Sequence, residues 1–507
     1  MSRQARGAFF VAILLLMSYA PLPAQQAPKV PTEQEQEGGH DDPRGREEWF
    51  LQGRTVPGKS AAELRLRAFR QKMTARAAAA ARTAAAQRLG VQVSGAVAGG
   101  VGPQWQNLGP APIISTPNQS YGAISGRLTS VAVDQTDATG NTVYIGAAYG
   151  GLWKSTNAAA ADPTAVTWTA LTEDQASLAI GAIAISPADH NLLLVGTGEA
   201  NGSGDSYYGV GILRSTDGGG TWALITSADG GSKPFRGLAV SHIAFSTDNP
   251  SVVVVSTTAA GHGTNIGAET SGGTTASRGL YYSTDAGQTW HFVSLSDSGT
   301  ALGNNSAHSV VYNPIQKKFY AVVRAHGVYS SSDGQAWTKL ATQPGGVNAT
   351  SCPPGTDLTT CPIYRGEFGI RPGSDEMYLW FVNAPSTNPP GEVDGGIFRT
   401  LDGGQTWTSL HTGGGSDGIS SCGDGSSCGT SQGGYNLYMA AVPNPSPNDP
   451  NQTDVYAGAI NIYKCTIPGS NKATSTCSTW LNLTHAYSCT PTAAPAHVHP
   501  DQHGIDF

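Results

Sequence analysis

Basic residues are scarce in this chain: 29 lysines and arginines stand against 36 aspartates and glutamates in 507 residues, a formal net charge of −7. Because nucleic-acid binding depends on a basic surface, this deficit argues against DNA or RNA as a partner. Charged residues of both signs make up only 13% of the chain, and long apolar helical patterns are nearly absent beyond residue 90. The 65 glycines instead indicate many short strands joined by tight turns.

Long apolar runs are also missing, apart from one near the start of the sequence. Arg3 and Arg6 precede the apolar residues 8–19, and Leu22–Ala24 forms a plausible cleavage site. This order predicts a signal peptide over residues 1–24, whose apolar stretch is too short for a membrane span. We therefore expect an exported protein, secreted, periplasmic or on the cell surface, with no membrane span after signal cleavage.

Cysteine is infrequent, with seven residues, but in an exported chain these favour disulfides. The spacing suggests Cys352 with Cys361 and Cys422 with Cys428, each closing a short loop. Cys465 and Cys477 flank what the sequence predicts to be a hairpin turn. Cys489 is then left unpaired.

The segment after the signal differs from the rest of the chain. Residues 25–59 are rich in Gln, Glu, Pro and Gly and are expected to be irregular. Ser60–Glu63 is a capping box, and the Ala- and Arg-rich residues that follow predict a helix over 60–90. We interpret it as a pro-segment or spacer, the alternative being a helix docked on the next domain; residues 91–103 form a linker.

A short pattern recurs four times in the glycine-rich region. Its copies begin at Ser215, Ser283, Ser331 and Thr400, and each contains an Asp two residues later, followed by glycine and a Trp. An Asp carboxylate can accept hydrogen bonds from turn amides, and glycine allows positive φ. The pattern predicts β-hairpins held by structural pairs, namely Asp217 and Trp222, Asp285 and Trp290, Asp333 and Trp337, and Asp402 and Trp407.

These copies resemble the Asp-box, or bacterial neuraminidase repeat, of sialidases, xyloglucanase-type glycosidases and sortilin-type receptor domains. Recurrence at tens of residues is typical of a propeller or solenoid. Two degenerate copies, from Lys154 to Trp168 and from Tyr463 to Trp480, complete the series. We predict an all-β fold, a β-propeller of four-stranded blades with Asp-box hairpins over residues 104–507, preceded by the helix.

Six blades are visible in the sequence, and His503–Phe507 is predicted to begin a partial seventh. An unpaired inner strand is a poor place for a chain to stop. We therefore expect a C-terminally truncated chain, the alternative being that residues 104–120 close the ring.

The resemblance implies a functionally mixed family of glycosidases and binding proteins. Sialidases of this fold use three arginines, and no arginine of residues 104–507 stands in the Arg-Ile-Pro setting that they carry. Xyloglucanase-type enzymes place two Asp residues across a cleft as acid and base, and neither surrounding motif is matched. We therefore expect a binding or interaction module for a glycan or an extended peptide or protein segment; the alternative is a glycoside hydrolase of the xyloglucanase or sialidase type.

A binding site is expected on the face that carries the loops between second and third strands and between blades. The loop Glu199–Gly209 combines carboxylates with aromatic rings, which suits sugars or a cationic group, although it also fits a structural loop. Glu367, Asp205 and Glu199 are the candidates for a catalytic acid. The predicted ligand-binding residues are Glu199, Asp205, Tyr207, Tyr208, His242, His308, Arg324, Glu367, Asp501 and His503.

Two segments of the sequence contain potential metal ligands. His497, His499, Asp501 and His503 are potential ligands, but the prolines and strand pattern around them argue against the shared helix face that favours zinc. Ser421–Gly425 offers oxygen ligands, which leaves calcium as an alternative. We expect no metal and no cofactor otherwise, and the sequence leaves the oligomeric state open.

Overall fold

The computed structural model describes residues 61–88, 113–114, 123–124, 126–202, 206–259, 276–346, 363–387, 390–412, 419, 432–477, 479–484 and 502–507. Several predictions concern residues outside these ranges. They are the signal peptide, Asp205, Asp501, the pairs Cys352–Cys361 and Cys422–Cys428, and Cys489.

The N-terminal helix α1 spans Ala61–Arg88. Lys72 Nζ donates to the backbone oxygen of Glu173 at 2.8 Å, and Arg76 forms an ion pair with Asp174. These contacts join α1 to the segment that connects the first and second blades. No helix of the described residues is both long enough and apolar enough to cross a membrane.

Six four-stranded antiparallel sheets follow one another along the chain, and in each the strands pair in sequence order. A hairpin of β1 (Ile113–Ile114) and β2 (Ala123–Ile124) precedes them. The first blade contains β3 (Leu128–Val133), β4 (Val143–Ala147), β5 (Gly151–Ser155) and β6 (Thr169–Ala170). The second contains β7 (Ile180–Ile185), β8 (Leu193–Thr197), β9 (Ile212–Ser215) and β10 (Ala223–Ile225), followed by a hairpin of β11 (Ser227–Ala228) and β12 (Lys233–Pro234).

The later blades repeat this plan. The third contains β13 (Leu238–Phe245), β14 (Val253–Ala259), β15 (Gly279–Ser283) and β16 (His291–Phe292), followed by a hairpin of β17 (Leu295–Asp297) and β18 (Thr300–Leu302). The fourth contains β19 (Ala307–Asn313), β20 (Lys318–Val323), β21 (Gly327–Ser331) and β22 (Thr338–Lys339). The fifth contains β23 (Arg365–Ile370), β24 (Met377–Thr387), β25 (Pro390–Thr400) and β26 (Thr408–His411), and the sixth β27 (Tyr438–Pro443), β28 (Thr453–Gly458), β29 (Ile462–Ile467) and β30 (Leu481–Asn482).

The blades form a propeller ring, as predicted, because the innermost strands β3, β7, β13, β19, β23 and β27 pack against one another in chain order. Residues 502–507 lie between β27 and β3. The Val133 amide donates to Asp506 Oδ2 at 2.8 Å, and Tyr438 Oη donates to the Ile505 oxygen at 2.5 Å. This segment, expected to be the first strand of a seventh blade, is irregular and fills the space between the sixth and first blades.

Large apolar side chains between neighbouring blades form the core. Tyr281 and Trp290 of the third blade pack with Leu194 of the second, and all three are at most 2% exposed. Between the fifth and sixth blades, Trp380 and Trp480 belong to one buried cluster. Each such aromatic removes a large apolar area from water, so the inter-blade contacts stabilise the ring.

The four predicted Asp turns share one hydrogen-bonding pattern, which the turn of Asp217 illustrates. Ser215 Oγ donates to Asp217 Oδ1 at 2.7 Å, and the same carboxylate accepts from the Thr221 amide at 2.8 Å. The carboxylates of Asp285, Asp333 and Asp402 likewise accept hydrogen bonds from a Ser or Thr hydroxyl and from backbone amides of the turn. The Asp carboxylate thus fixes the turn between the third and fourth strands, as the sequence predicts.

The two degenerate copies use other chemistry for the same turn. In the first blade Asn157 replaces Asp, and its Oδ1 accepts from the Thr167 amide at 2.9 Å. In the sixth blade the predicted disulfide Cys465–Cys477 is confirmed and links β29 to the residues before Trp480.

Candidate functional site

The up-and-down order of the strands gives the propeller two different faces. We call the side with the connections between second and third strands and between blades the loop face. The opposite side, which carries the turns between first and second strands and between third and fourth strands, is the turn face. The innermost strands run between these faces and surround the central channel.

An arginine cluster, defined as Arg127, Tyr149, Glu199, Tyr207 and Tyr435, lies on the loop face. Arg127 Nη2 is 2.7 Å from Glu199 Oε2 and donates to Tyr149 Oη, while Nη1 donates to Tyr435 Oη at 3.1 Å. The Arg127 guanidinium also lies 5.2 Å from the ring centre of Tyr149, which meets Tyr207 edge to face. The Glu199 side chain is fully buried, so its charge is compensated by Arg127 rather than by water.

A second group, the floor cluster, crosses the channel beneath the loop face and consists of Asn201, His242, Arg365 and Glu367. Glu367 Oε1 accepts from Arg365 Nε at 2.9 Å, and Glu367 Oε2 lies 3.5 Å from Nε2 of His242. His242 comes from the third blade and Asn201 from the second, while Arg365 and Glu367 come from the fifth. The cluster therefore connects blades that are not neighbours in the ring.

Arg365 uses all five of its N–H donors within the protein. Nη1 donates to the oxygens of Gly434 and Tyr435, and Nη2 donates to Asn201 Oδ1 and the Leu437 oxygen. With Nε on Glu367, no donor remains for an anionic ligand. The Gly202 amide donates to the same Gly434 oxygen at 3.2 Å, so the two loop-face segments meet over the channel.

Below the floor cluster lies a cavity of about 630 Å³, lined by the innermost strands and by residues 503–507. Its wall combines apolar side chains, among them Ile183, Ile243, Phe368 and Val442, with polar ones such as Ser130, Ser241 and His308. At the turn face the lining residues Gln135, Pro187, Thr247 and Pro372 are exposed. Among the described residues, the cavity therefore reaches from the floor cluster to an opening at the turn face.

Glu367 Oε2 is a buried polar atom of the cavity lining that lacks a hydrogen-bond partner in the described part of the chain, and Ser130 Oγ is another. Glu367 is 2% exposed, and within the described residues its Oε2 accepts no hydrogen bond. A buried carboxylate oxygen without a donor is costly, which makes this atom a natural contact for a ligand donor.

Asp506 is another carboxylate of the cavity lining. Although the residue keeps exposed surface, partial burial of its carboxyl raises the pKa of Asp506, and hydrogen bonds from the Val133 and Phe507 amides oppose this shift. Burial also raises the pKa of the neighbouring Tyr438 phenol, and the charge of Asp506 adds to that shift.

The predicted site residues fall into three groups. His242, His308, Glu367 and His503 line the channel, and His242 Nδ1 lies 2.9 Å from the backbone oxygen of His308. Glu199 and Tyr207 belong to the arginine cluster, and the His503 ring meets that of Tyr435 edge to face. Tyr208 is buried against Val210 and Ala239, while Arg324 lies over the Tyr364 ring at 3.7 Å, apart from the cavity lining.

Sequence reasoning did not assign roles to Asn201, Arg365 or Tyr435, nor did it give Arg127 a partner. A weak signal exists: Arg127 directly precedes β3 and Arg365 begins β23, so both stand at the loop-face end of an innermost strand. Among the described residues, no group of three or more His, Cys, Asp or Glu side chains is arranged to hold a metal ion. His497, His499, Asp501 and Ser421–Gly425 lie outside those residues.

No protein-family profile matches this chain, and no curated protein matches its sequence significantly. Similar solved structures include an ancestral GH74 enzyme, at 18% identity and a TM-score of 0.47 over 72% of this chain and 39% of that one. The GH74 xyloglucanase from Xanthomonas campestris is similar at 15% identity and a TM-score of 0.37, over 69% of this chain and 52% of that one. YCF48 bound to a D1 peptide is similar at 14% identity and a TM-score of 0.34, over 70% of this chain and 82% of that one.

This chain therefore spans only about 39% and 52% of the two GH74 structures. At such low identity these likenesses concern the fold and carry no argument about activity.

Proposed function

We propose that this chain is an exported Asp-box β-propeller that binds an extended ligand, a glycan or a peptide, in its central channel. The observation that carries the proposal is the cavity of about 630 Å³ whose inner end presents the buried, hydrogen-bond-deficient Oε2 of Glu367. Ligand pockets are typically concave and combine apolar walls with oriented polar groups, and this channel also brings apolar and polar side chains together.

The repeated turn chemistry supports the Asp-box assignment. In all four turns the Asp carboxylate joins a Ser or Thr hydroxyl at the end of the third strand to amides of the turn. Such turns fix the blades, and the rigid ring then holds the channel-lining residues in place. We assign these Asp residues a structural role and the channel the binding role.

Export and the absence of a cofactor are part of the same proposal. Residues 1–24 would be removed as a signal peptide, and N-terminal sequencing of the mature protein tests this. Calcium remains the alternative cofactor, and a melting temperature that falls on chelation would establish it.

The second candidate function is glycoside hydrolysis, which one observation favours. Glycosidases need a carboxylic acid and a carboxylate. The cavity lining holds two carboxyl groups, Glu367 and Asp506, and burial raises the pKa of Asp506. A raised pKa is the property of a general acid.

One experiment separates binding from hydrolysis. The purified protein is incubated with a panel of soluble polysaccharides, with retention on affinity gels and new reducing ends measured in parallel. We expect retention without new ends. New reducing ends that disappear in Glu367→Gln, but not in the exposed control Glu173→Gln, would replace the binding proposal by the hydrolase.

A further inference from the structure

The chemistry of the channel narrows the class of ligand, and this inference rests on the proposed binding function. We propose that the channel takes the amino-terminal end of an extended peptide, which enters from the turn face and places its ammonium group on Glu367 Oε2.

The floor selects a hydrogen-bond donor rather than an acceptor. All five N–H groups of Arg365 are used by protein oxygens, whereas Glu367 Oε2 accepts no hydrogen bond among the described residues and has His242 Nε2 as a neighbour at 3.5 Å. A carboxylate or sulfate on the ligand would thus face Glu367 without a free guanidinium to bind it. An ammonium group brings three donors, one of which can bind the open Oε2 while Arg365 keeps its bond to Oε1.

The depth fits a short stretch of extended chain. Glu367 lies three residues before the end of β23 at Ile370, which corresponds to roughly 10 Å at about 3.3 Å per residue, and the exposed Pro372 stands in the turn beyond it at the cavity entrance. A lysine side chain attached to a partner outside the entrance is too short for this distance. An extended peptide of about three to five residues reaches from the entrance to the floor.

The wall offers backbone partners to an extended peptide. Its lining also includes apolar side chains such as those of Ile183 and Ile243, which apolar side chains of a peptide can contact. Each innermost strand pairs with one strand of its own blade, and its other edge carries no strand partner within the described residues. Unpaired strand edges offer the backbone donors and acceptors that an extended peptide requires.

The chain's own residues 502–507 illustrate this mode of contact. This segment lies between β3 and β27, and both strands donate hydrogen bonds to it: the Val133 amide of β3 to Asp506 Oδ2 at 2.8 Å, and the Tyr438 hydroxyl of β27 to the Ile505 oxygen at 2.5 Å. An irregular segment without a strand of its own is thus already held beside the channel. A peptide in the remaining space would meet the same kind of surface.

The test uses the pentapeptide Ala-Val-Ala-Val-Ala, labelled with fluorescein at its C-terminus, with either a free or an acetylated N-terminus. Binding to the full chain is measured by fluorescence anisotropy. We expect the free amine to bind at least roughly tenfold more tightly than the acetylated peptide, the size expected for one hydrogen bond to a charged group. Glu367→Gln should remove this difference.

Because Glu367→Gln also weakens the pairing of Arg365, a second variant leaves the floor intact. Val442→Trp fills the channel near its entrance and should abolish binding of both peptides. Its control is Ile315→Trp, an exposed residue on the same face that does not line the cavity, which should bind normally. Melting curves of all variants confirm that each is folded.

The outcomes separate this inference from the proposed function. Equal binding of both peptides, lost in Val442→Trp, overturns the ammonium assignment and keeps the binding function. Binding of polysaccharides alone overturns the peptide inference and keeps the function. Binding of neither class overturns both.

Discussion

Arg365 and Glu367 stand two residues apart on β23, and Arg365 Nε donates to Glu367 Oε1 at 2.9 Å with both side chains at most 6% exposed. The ion pair holds one carboxylate oxygen and leaves the other directed at the channel. Arg365 in turn is held by Asn201 and by backbone oxygens before β27. One strand thus supplies both the fixed cation and the open acceptor of the floor cluster.

Removing one partner of the Arg127–Glu199 pair should destabilise the protein strongly. Arg127→Met leaves the fully buried Glu199 carboxylate without its cation, and we expect a loss of about 3–5 kcal/mol in the free energy of unfolding. The double variant Arg127→Met with Glu199→Gln should recover part of that loss, because no buried charge remains. Denaturant midpoints measure both effects. If the loss in the double variant equals the sum of the losses in the two single variants, the two side chains do not form a stabilising pair.

Asp285→Ala should destabilise the turn of the third blade. Its carboxylate accepts from the Ser283 hydroxyl, the Gln288 and Thr289 amides and the Thr289 hydroxyl. We expect a loss of about 1.5–3 kcal/mol, the range for hydrogen bonds to a charged group. Asp189→Ala is the matched control, since that exposed carboxylate accepts one turn amide, and its unfolding midpoint should shift far less.

Asp217 should titrate well below an ordinary aspartate. The Thr221 amide and hydroxyl and the Ser215 hydroxyl lower the pKa of Asp217 from 3.8 to about 2. Because the folded pKa is lowered, its contribution to stability is present above pH 4 and is lost as the pH falls toward 2. Carboxyl ¹³C shifts followed against pH measure the midpoint. In Thr221→Val the midpoint should rise, and a wild-type midpoint near 4 would refute the assignment.

Loss of the Cys465–Cys477 disulfide should destabilise the sixth blade. The two cysteines are 12 residues apart, and closing a loop of that length is worth about 3 kcal/mol in the chain-entropy description. Cys465→Ser with Cys477→Ser should lower the free energy of unfolding by that order. Reducing agent should lower the denaturation midpoint of the wild type and leave that of the double variant unchanged. Equal shifts in both proteins would show that the disulfide does not stabilise the blade.

The sequence by itself determined the repeat and its local chemistry. The spacing of the Ser-x-Asp turns predicted the blades, and the hydroxyl and amide contacts of Asp217 lie within a few residues of it. The pairing of Cys465 with Cys477 was predictable for the same reason, because a hairpin brings residues that are close in sequence together in space. Such features follow from turn geometry and alternation, which are local properties of the chain.

The tertiary structure alone decided which residues meet at the inner end of the cavity. The sequence placed the expected ligand surface on the loop face, and among the described residues Asn201 of the second blade meets Arg365 of the fifth there, with the cavity reaching from them toward the turn face. These residues are 164 positions apart, and their meeting depends on the closure of the whole ring. No local pattern encodes a contact between opposite blades, because the number and packing of the blades between them set the distance.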